Sequence, residues 1–305
     1  MKKHISSLML LLAAMIWGFA FSAQKAAETV PPFTLGAARS LIAGIFLLAM
    51  IPAFDKLRHT GRSLFGKVKG SRFNKYELIG GMICGTVLAT ASFFQQLGMA
   101  SGAEAGKTSF ITALYVVLVP IYALTLKRHA PINVWISVGI AVVGFYFLCI
   151  QGDFTIEGAD LIVCVCSLIF PVHILAIDHF SPKCDGVRMS CIQFFTATAV
   201  NAILAILTEM PINFANVWQN IMPILFLGVM SSGVAYTLQI LGQRDANPAA
   251  ASIIMSLESV FGVVGAAILL GERMSPREYI GAGIILAAVL LSQLDLDTIK
   301  KSVKK

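Results

Sequence analysis

Residues 252–272 read SIIMSLESVFGVVGAAILLGE. The run is long and apolar enough to be one continuous bilayer-crossing helix, which needs about 20 such residues. It also carries a carboxylate, Glu258, about ten residues into the apolar segment that opens at residue 248. At 1.5 Å per residue the acid would sit about 15 Å deep. A charge at the centre of hydrocarbon costs a few kcal/mol even on lenient insertion scales. Glu258 is therefore expected to face protein and water, not lipid.

The rest of the chain agrees with that setting. Of its 305 residues 57% are hydrophobic and only 13% charged, and its mean hydropathy is +0.81. A soluble domain carries about 25% charged residues, so the composition excludes a soluble fold of this size. The net charge of +7 does not mark a nucleic-acid patch, because the basic residues fall in loops and tails between apolar runs. They act as orientation signals. The N-terminal MKKHISSLMLLLAAMIWGFAFSAQK has the outline of a signal peptide but no clean small-x-small cleavage site, and reads as a retained first helix. The six cysteines show no zinc-site spacing and read as small buried apolar residues.

Ten segments have the length and polarity of spans: roughly 7–24, 34–53, 78–98, 107–126, 132–150, 158–177, 189–208, 220–241, 248–270 and 278–294. Pro31-Pro32, Pro52, Ala130-Pro131, Gln151-Gly152-Asp153, Ser181-Pro182, Pro211, Asn247-Pro248 and Ser275-Pro276 punctuate them. With the N-terminus in the cytoplasm, the inward segments hold 18 Lys and Arg and the outward ones only Lys25, Lys107, Arg273 and Arg277. That bias places both termini inside.

The chain also repeats itself. Displaced by 144 residues, QQLGMASGAEAGKTSFITALYVVLVPIYALTL falls on QILGQRDANPAAASIIMSLESVFGVVGAAILL without gaps, and 11 positions between 95 and 144 are identical, among them Gln95/Gln239 and Gly98/Gly242. The expected organisation is two repeats, 1–150 and 151–305, of five spans each. An odd number of spans turns the second copy upside down, which is the sequence mark of secondary transporters. The fold class is thus an all-α polytopic membrane protein of ten transmembrane helices in two inverted five-helix repeats.

FITALYVVLVP (110–120), AYTLQILGQ (235–243) and SLESVFGVVGAAILLGERMSPREYIGAG (256–283) resemble the EamA family of the drug/metabolite transporter superfamily. The likeness covers essentially the whole chain, and LLGE-R-x-S after the ninth span is its most specific part. Ser259 departs from the family's proline after the glutamate, and the first repeat has LKRHAP where the second has LGERMS. The resemblance implies two inverted halves around a central cavity and transport of small organic solutes, often outward, without fixing the substrate.

Several polar groups inside the spans are candidates for the cavity wall. Glu258 is read either as a protonatable group that carries a coupled proton or grips a cationic solute, or as a structural carboxylate. Gln95, Gln96 and Gln239 should avoid lipid and either line the cavity or join helices. His173 follows Pro171, whose kink could build part of a site, although a lone satisfied histidine is equally in keeping. Trp17, Tyr115 and Tyr236 lie away from the interface belts and could stack on a solute or fill core. Ser256 joins this set, and Arg39 is expected to be a structural charge. Lys107 is read as an interface charge, and Trp135 and Trp218 as interface anchors.

No catalytic motif survives; GAEAGKT (102–108) is one residue short of a Walker loop and follows no strand. No cofactor or metal is expected. The expected partners are a small-molecule solute and the lipid bilayer of a bacterial inner membrane, with no nucleic acid. A proton as coupling ion and a second copy of the chain as dimer partner stay open. The leading function is a secondary transporter, in the export direction, of amino-acid-like or drug-like metabolites. The alternatives are an intramembrane enzyme using Glu258 and His173, and a passive facilitator.

Overall fold

A computed structural model describes residues 2–59, 73–127, 130–149, 157–270 and 275–293. Every regular element among them is helical. In chain order the α-helices are α1 (Lys2–Ala26), α2 (Pro32–His59), α3 (Lys75–Ala100), α4 (Ala105–Ala113), α5 (Tyr115–Thr125), α6 (Ile132–Cys149), α7 (Gly158–Phe180), α8 (Gly186–Thr208), α9 (Phe214–Gln219), α10 (Ile221–Phe226), α11 (Tyr236–Gln243), α12 (Pro248–Met255), α13 (Glu258–Leu270) and α14 (Pro276–Gln293). A π-helix over Leu227–Ala235 joins α10 to α11. Among the described residues eight helices, some assembled from consecutive pieces, are long and apolar enough to cross a membrane; Ile132–Phe147 and Tyr279–Ser292 form shorter apolar helices.

The helix starts follow local chemistry. Asn74 caps α3 by accepting from the amides of Tyr76 and Glu77, and Glu77 returns the bond to the Asn74 amide at 2.8 Å. Asp185 caps α8 through Val187 and Arg188. Asn247 caps α12, with Pro248 in its first turn. Large apolar side chains such as Ile45, Leu207, Met222 and Leu290 point outward and more than half exposed. Serines, glutamines and charges are buried between helices. That inversion suits lipid as the solvent.

The ninth span is not one continuous helix. α12 ends at Met255 and α13 begins at Glu258, with a tight turn between them held by Leu257 N–H on Ile254 O (3.2 Å) and Ser259 N–H on Ser256 O (3.2 Å). The buried Ser256 hydroxyl donates to the Ile253 carbonyl at 2.7 Å, meeting one carbonyl in that turn. An apolar run looks the same whether or not the ladder breaks, so composition did not reveal the turn. The fourth span breaks likewise at Leu114, between α4 and α5. The two broken helices touch, the Ser259 hydroxyl donating to Ser109 O at 3.2 Å.

Helix pairs α2·α8, α3·α7, α3·α8, α6·α14 and α1·α13 form the main contacts. Two are fastened at both ends. For α2·α8, Arg188 meets Asp55 at one end, and Glu209 accepts from Phe33 N, Thr34 N and Thr34 Oγ1 at the other. For α6·α14, the Asn133 amide donates to Leu291 O and Ser292 O, and the Arg277 guanidinium sits 5.1 Å from the Tyr146 ring centre.

Glycine allows two close approaches. A Cβ on Gly98 of α3 would run into Val163 Cγ2 of α7, and one on Gly242 of α11 would come within 2.9 Å of Leu10 Cγ on α1. Gly98→Leu is expected to force α3 from α7 and to destabilise by about 1–3 kcal/mol, the usual cost of overpacking. Thermal unfolding of purified variant and wild type checks this; equal midpoints would remove the packing argument.

The basic residues between 60 and 72, Arg128, the turn at 151–153, the GERM stretch at 271–274 and the lysine tail after 293 lie outside the described residues.

Candidate functional site

A cavity lies among the broken helices and their neighbours. α1 contributes Trp17, Phe21 and Gln24, α2 Arg39 and α3 Gln95. Thr112 and Tyr115 come from the α4–α5 break, Phe170 and His173 from α7, and Ser231 from the π-helix. α11 supplies Tyr236 and Gln239, while Met255 and Glu258 flank the α12–α13 break.

Eight of the ten residues singled out in the sequence line this one space: Trp17, Arg39, Gln95, Tyr115, His173, Tyr236, Gln239 and Glu258. Gln96 and Ser256 are not on its wall. Gln96 instead donates to Gln24 O at 3.4 Å, and Ser256 serves the helix turn described above.

Glu258 is the first residue of α13. The N-terminal dipole of a helix favours a negative group there by about 0.3–1 kcal/mol. The carboxyl is 5% exposed and lies beside the Tyr115 phenol. No hydrogen bond of regular geometry closes between them, leaving Glu258 Oε1 and Tyr115 Oη without partners. The break thus turns a costly acid within an apolar segment into a helix-end acid beside the Tyr115 phenol.

Arg39 is buried at 8% exposure and has only neutral partners. Its Nε donates to Ser232 Oγ (3.1 Å), one Nη to Ser231 Oγ (3.1 Å) and the other to Gln24 Oε1 (3.5 Å). Both serines belong to the π-helix, whose widened turn also leaves Ser231 O to accept from Trp17 Nε1 at 3.2 Å. Such segments recur at functional sites.

The Tyr236 ring is the hub of an aromatic group, with ring centres 4.7 Å from Trp17, 5.8 Å from His173 and 5.7 Å from Phe194. His173 Nε2 pairs with Gln193 Oε1 at 3.2 Å, and Nδ1 has no partner. No hydrogen bond joins His173 to Glu258, as an acid–base pair would require. Gln95 donates to Thr112 Oγ1 at 3.0 Å, whereas Gln239 Oε1 is free. Away from the cavity, Lys107 pairs with Asp160 at 2.5 Å. Among the described residues no group of three potential metal ligands occurs.

Sequence reading missed Gln24, Thr112 and Ser231. Hydroxyls in apolar helices usually bond back to their own carbonyls, so their presence alone says little. Gln24, at the end of its apolar run, was the one legible signal.

Comparison with known proteins adds four findings. The family model of the EamA-like transporter family matches twice, over residues 4–150 and 158–294. An "uncharacterized transporter" of Archaeoglobus fulgidus is 29% identical, the match covering 96% of this chain and 87% of that one. Another, of Methanothermobacter thermautotrophicus, is 22% identical over 87% of this chain and 78% of that one. A protein of known crystal structure superposes with a TM-score of 0.73 at 18% identity, covering 94% of this chain and 96% of that one. That last likeness speaks for the fold alone.

Proposed function

Since the chain belongs to the EamA-like transporter family, we propose that it is a secondary transporter, working by alternating access, that exports small amino-acid-like or drug-like solutes. The observation that carries this reading is the central cavity where two broken helices meet, walled by residues of both halves, with an acid on one break. Discontinuous helices whose half-helix ends face a central site are how many transporters present polar groups to a solute in mid-membrane.

Ten spans in two inverted halves, 1–150 and 151–305, accompany the proposal. Three relations support the repeat. The breaks at Leu114 and at Ser256–Leu257 come within two residues of the 144-residue displacement. Gly98 and Gly242, equivalent under it, make equivalent close contacts on α7 and α1. The packing also maps onto itself: α1 on α13 matches α7 on α4 and α5, and α3 on α7 matches α11 on α1. The pairs α2·α8 and α6·α14 each join equivalent spans. In this reading the chain lies in a bacterial inner membrane with both termini cytoplasmic, as the lysine and arginine bias favours.

Glu258 is the candidate to grip an ammonium group or carry a coupled proton. Untargeted metabolite profiling of medium and cytoplasm tests the function, comparing cells with the wild type, with Glu258→Gln at matched membrane levels, and with empty vector. A compound enriched in the medium only with the wild type is expected. Enrichment inside would reverse the direction, and a new chemical species with no redistribution would point to an enzyme. Proton coupling has its own check: Glu258→Gln should flatten the pH dependence of transport, and an unchanged profile would end that idea.

A further inference from the structure

Arg39 is an expensive residue to bury in a bilayer, and the wall around it does not neutralise it. Among the described residues no carboxylate pairs with it, and its three hydrogen bonds go to two hydroxyls and one amide. A guanidinium has five N–H donors in a rigid fork. One bond at Nε and one at each Nη leave a further N–H on each terminal nitrogen. A pair of N–H donors on the two terminal nitrogens is a geometry that takes a carboxylate through two parallel bonds.

The three partners look built to aim that fork. Ser231 and Ser232 are neighbours in sequence, and the π-helix brings both hydroxyls to the same guanidinium. Gln24 holds the third corner from α1. Arg39, Gln24 and Ser231 all line the cavity that also holds Glu258 and the Trp17–Tyr236 ring pair.

We infer that Arg39 is the anion-reading residue of the cavity, and that the transported solute presents a carboxylate to it, seated by Ser231, Ser232 and Gln24. Glu258 in the same cavity disfavours a second negative charge on the guest. The rings favour an apolar body between the two charged poles. This inference rests on the transporter reading and adds the substrate's charge class to it.

Matched probes test it without knowledge of the natural solute. The full chain, purified into lipid nanodiscs, is titrated with 3-phenylpropionate and with the neutral, similarly shaped 3-phenylpropanamide. The wild type should prefer the carboxylate about tenfold or more, the scale of one charge-assisted pair. Arg39→Gln should bind both equally. Arg39→Lys keeps the charge but not the fork, so it should keep a reduced preference; it also decides the matter if Arg39→Gln does not fold. Ser231→Ala with Ser232→Ala should weaken carboxylate binding several-fold and leave amide binding alone. The inference is overturned if the wild type binds both probes equally or neither, or if Arg39→Gln retains the preference. Arg39-dependent carboxylate binding without solute movement in cells would sink only the transporter reading, and transport indifferent to carboxylates would sink only this one.

Discussion

Arg188→Met is expected to remove most of the folded protein from the membrane fraction. Arg188 is 2% exposed. It holds Asp55 Oδ2 at 2.6 Å and Asp185 Oδ2 at 3.2 Å, and the Asp185 amide in turn donates to Glu77 at 3.1 Å. One cation thus stands between carboxylates of α2 and the α8 cap at a junction that also takes in the start of α3. Removing one member of a buried ion pair costs about 3–5 kcal/mol. Against a total stability of about 5–15 kcal/mol, that is a large share. Fluorescence-detected size exclusion of solubilised membranes would report the monodisperse fraction, and a wild-type profile would show the network to be dispensable. Asp55→Asn in the Arg188→Met background should restore part of the loss, since the two effects share one contact.

Glu258→Ala should do the reverse. Here the carboxyl oxygen Oε1 has no partner of regular hydrogen-bond geometry, so removing it takes away a polar group whose burial is costly. Folded yield and thermal midpoint are expected to equal or exceed those of the wild type, while transport falls at least about tenfold, the loss of one charge-assisted contact to the guest. Preserved transport together with preserved stability would make Glu258 a bystander. Loss of both would make it structural. The contrast between the two charges follows from ion pairing: Arg188 holds two carboxylates, whereas Glu258 has no cation against it among the described residues.

Much of the architecture was readable in the residues. The scarcity of charge fixed the membrane class, and the apolar runs located the helices to within a few residues. Within the candidate site the legible members were those whose presence in hydrocarbon is costly: Glu258, Arg39, His173, Gln95 and Gln239. The costly groups have to face somewhere polar, and they gathered in one cavity. Trp17 and Tyr236 joined them through their rings. What stayed hidden was set by backbone geometry. The π-helix at Leu227–Ala235 and the turn before Glu258 change how the ladder is bonded, not which residues are apolar. The hydroxyls those irregularities present, Ser231 above all, carry no pattern of their own. Arg39, expected to be a structural charge, is held by those hydroxyls and also lines the cavity.

The fastening of α2 to α8 also bears on how the protein is made. Asp55 and Glu77 leave the ribosome more than a hundred residues before Arg188 and the Asp185 amide that engage them. Phe33 and Thr34 wait still longer for Glu209. Domains of many proteins fold in turn as they are synthesised, but here α2 and α3 are made with these partners still to come. Its completion is deferred to the arrival of the eighth helix. A nascent chain stalled before that point would lack these long-range fastenings, a mark by which quality control could tell an unfinished molecule from a finished one.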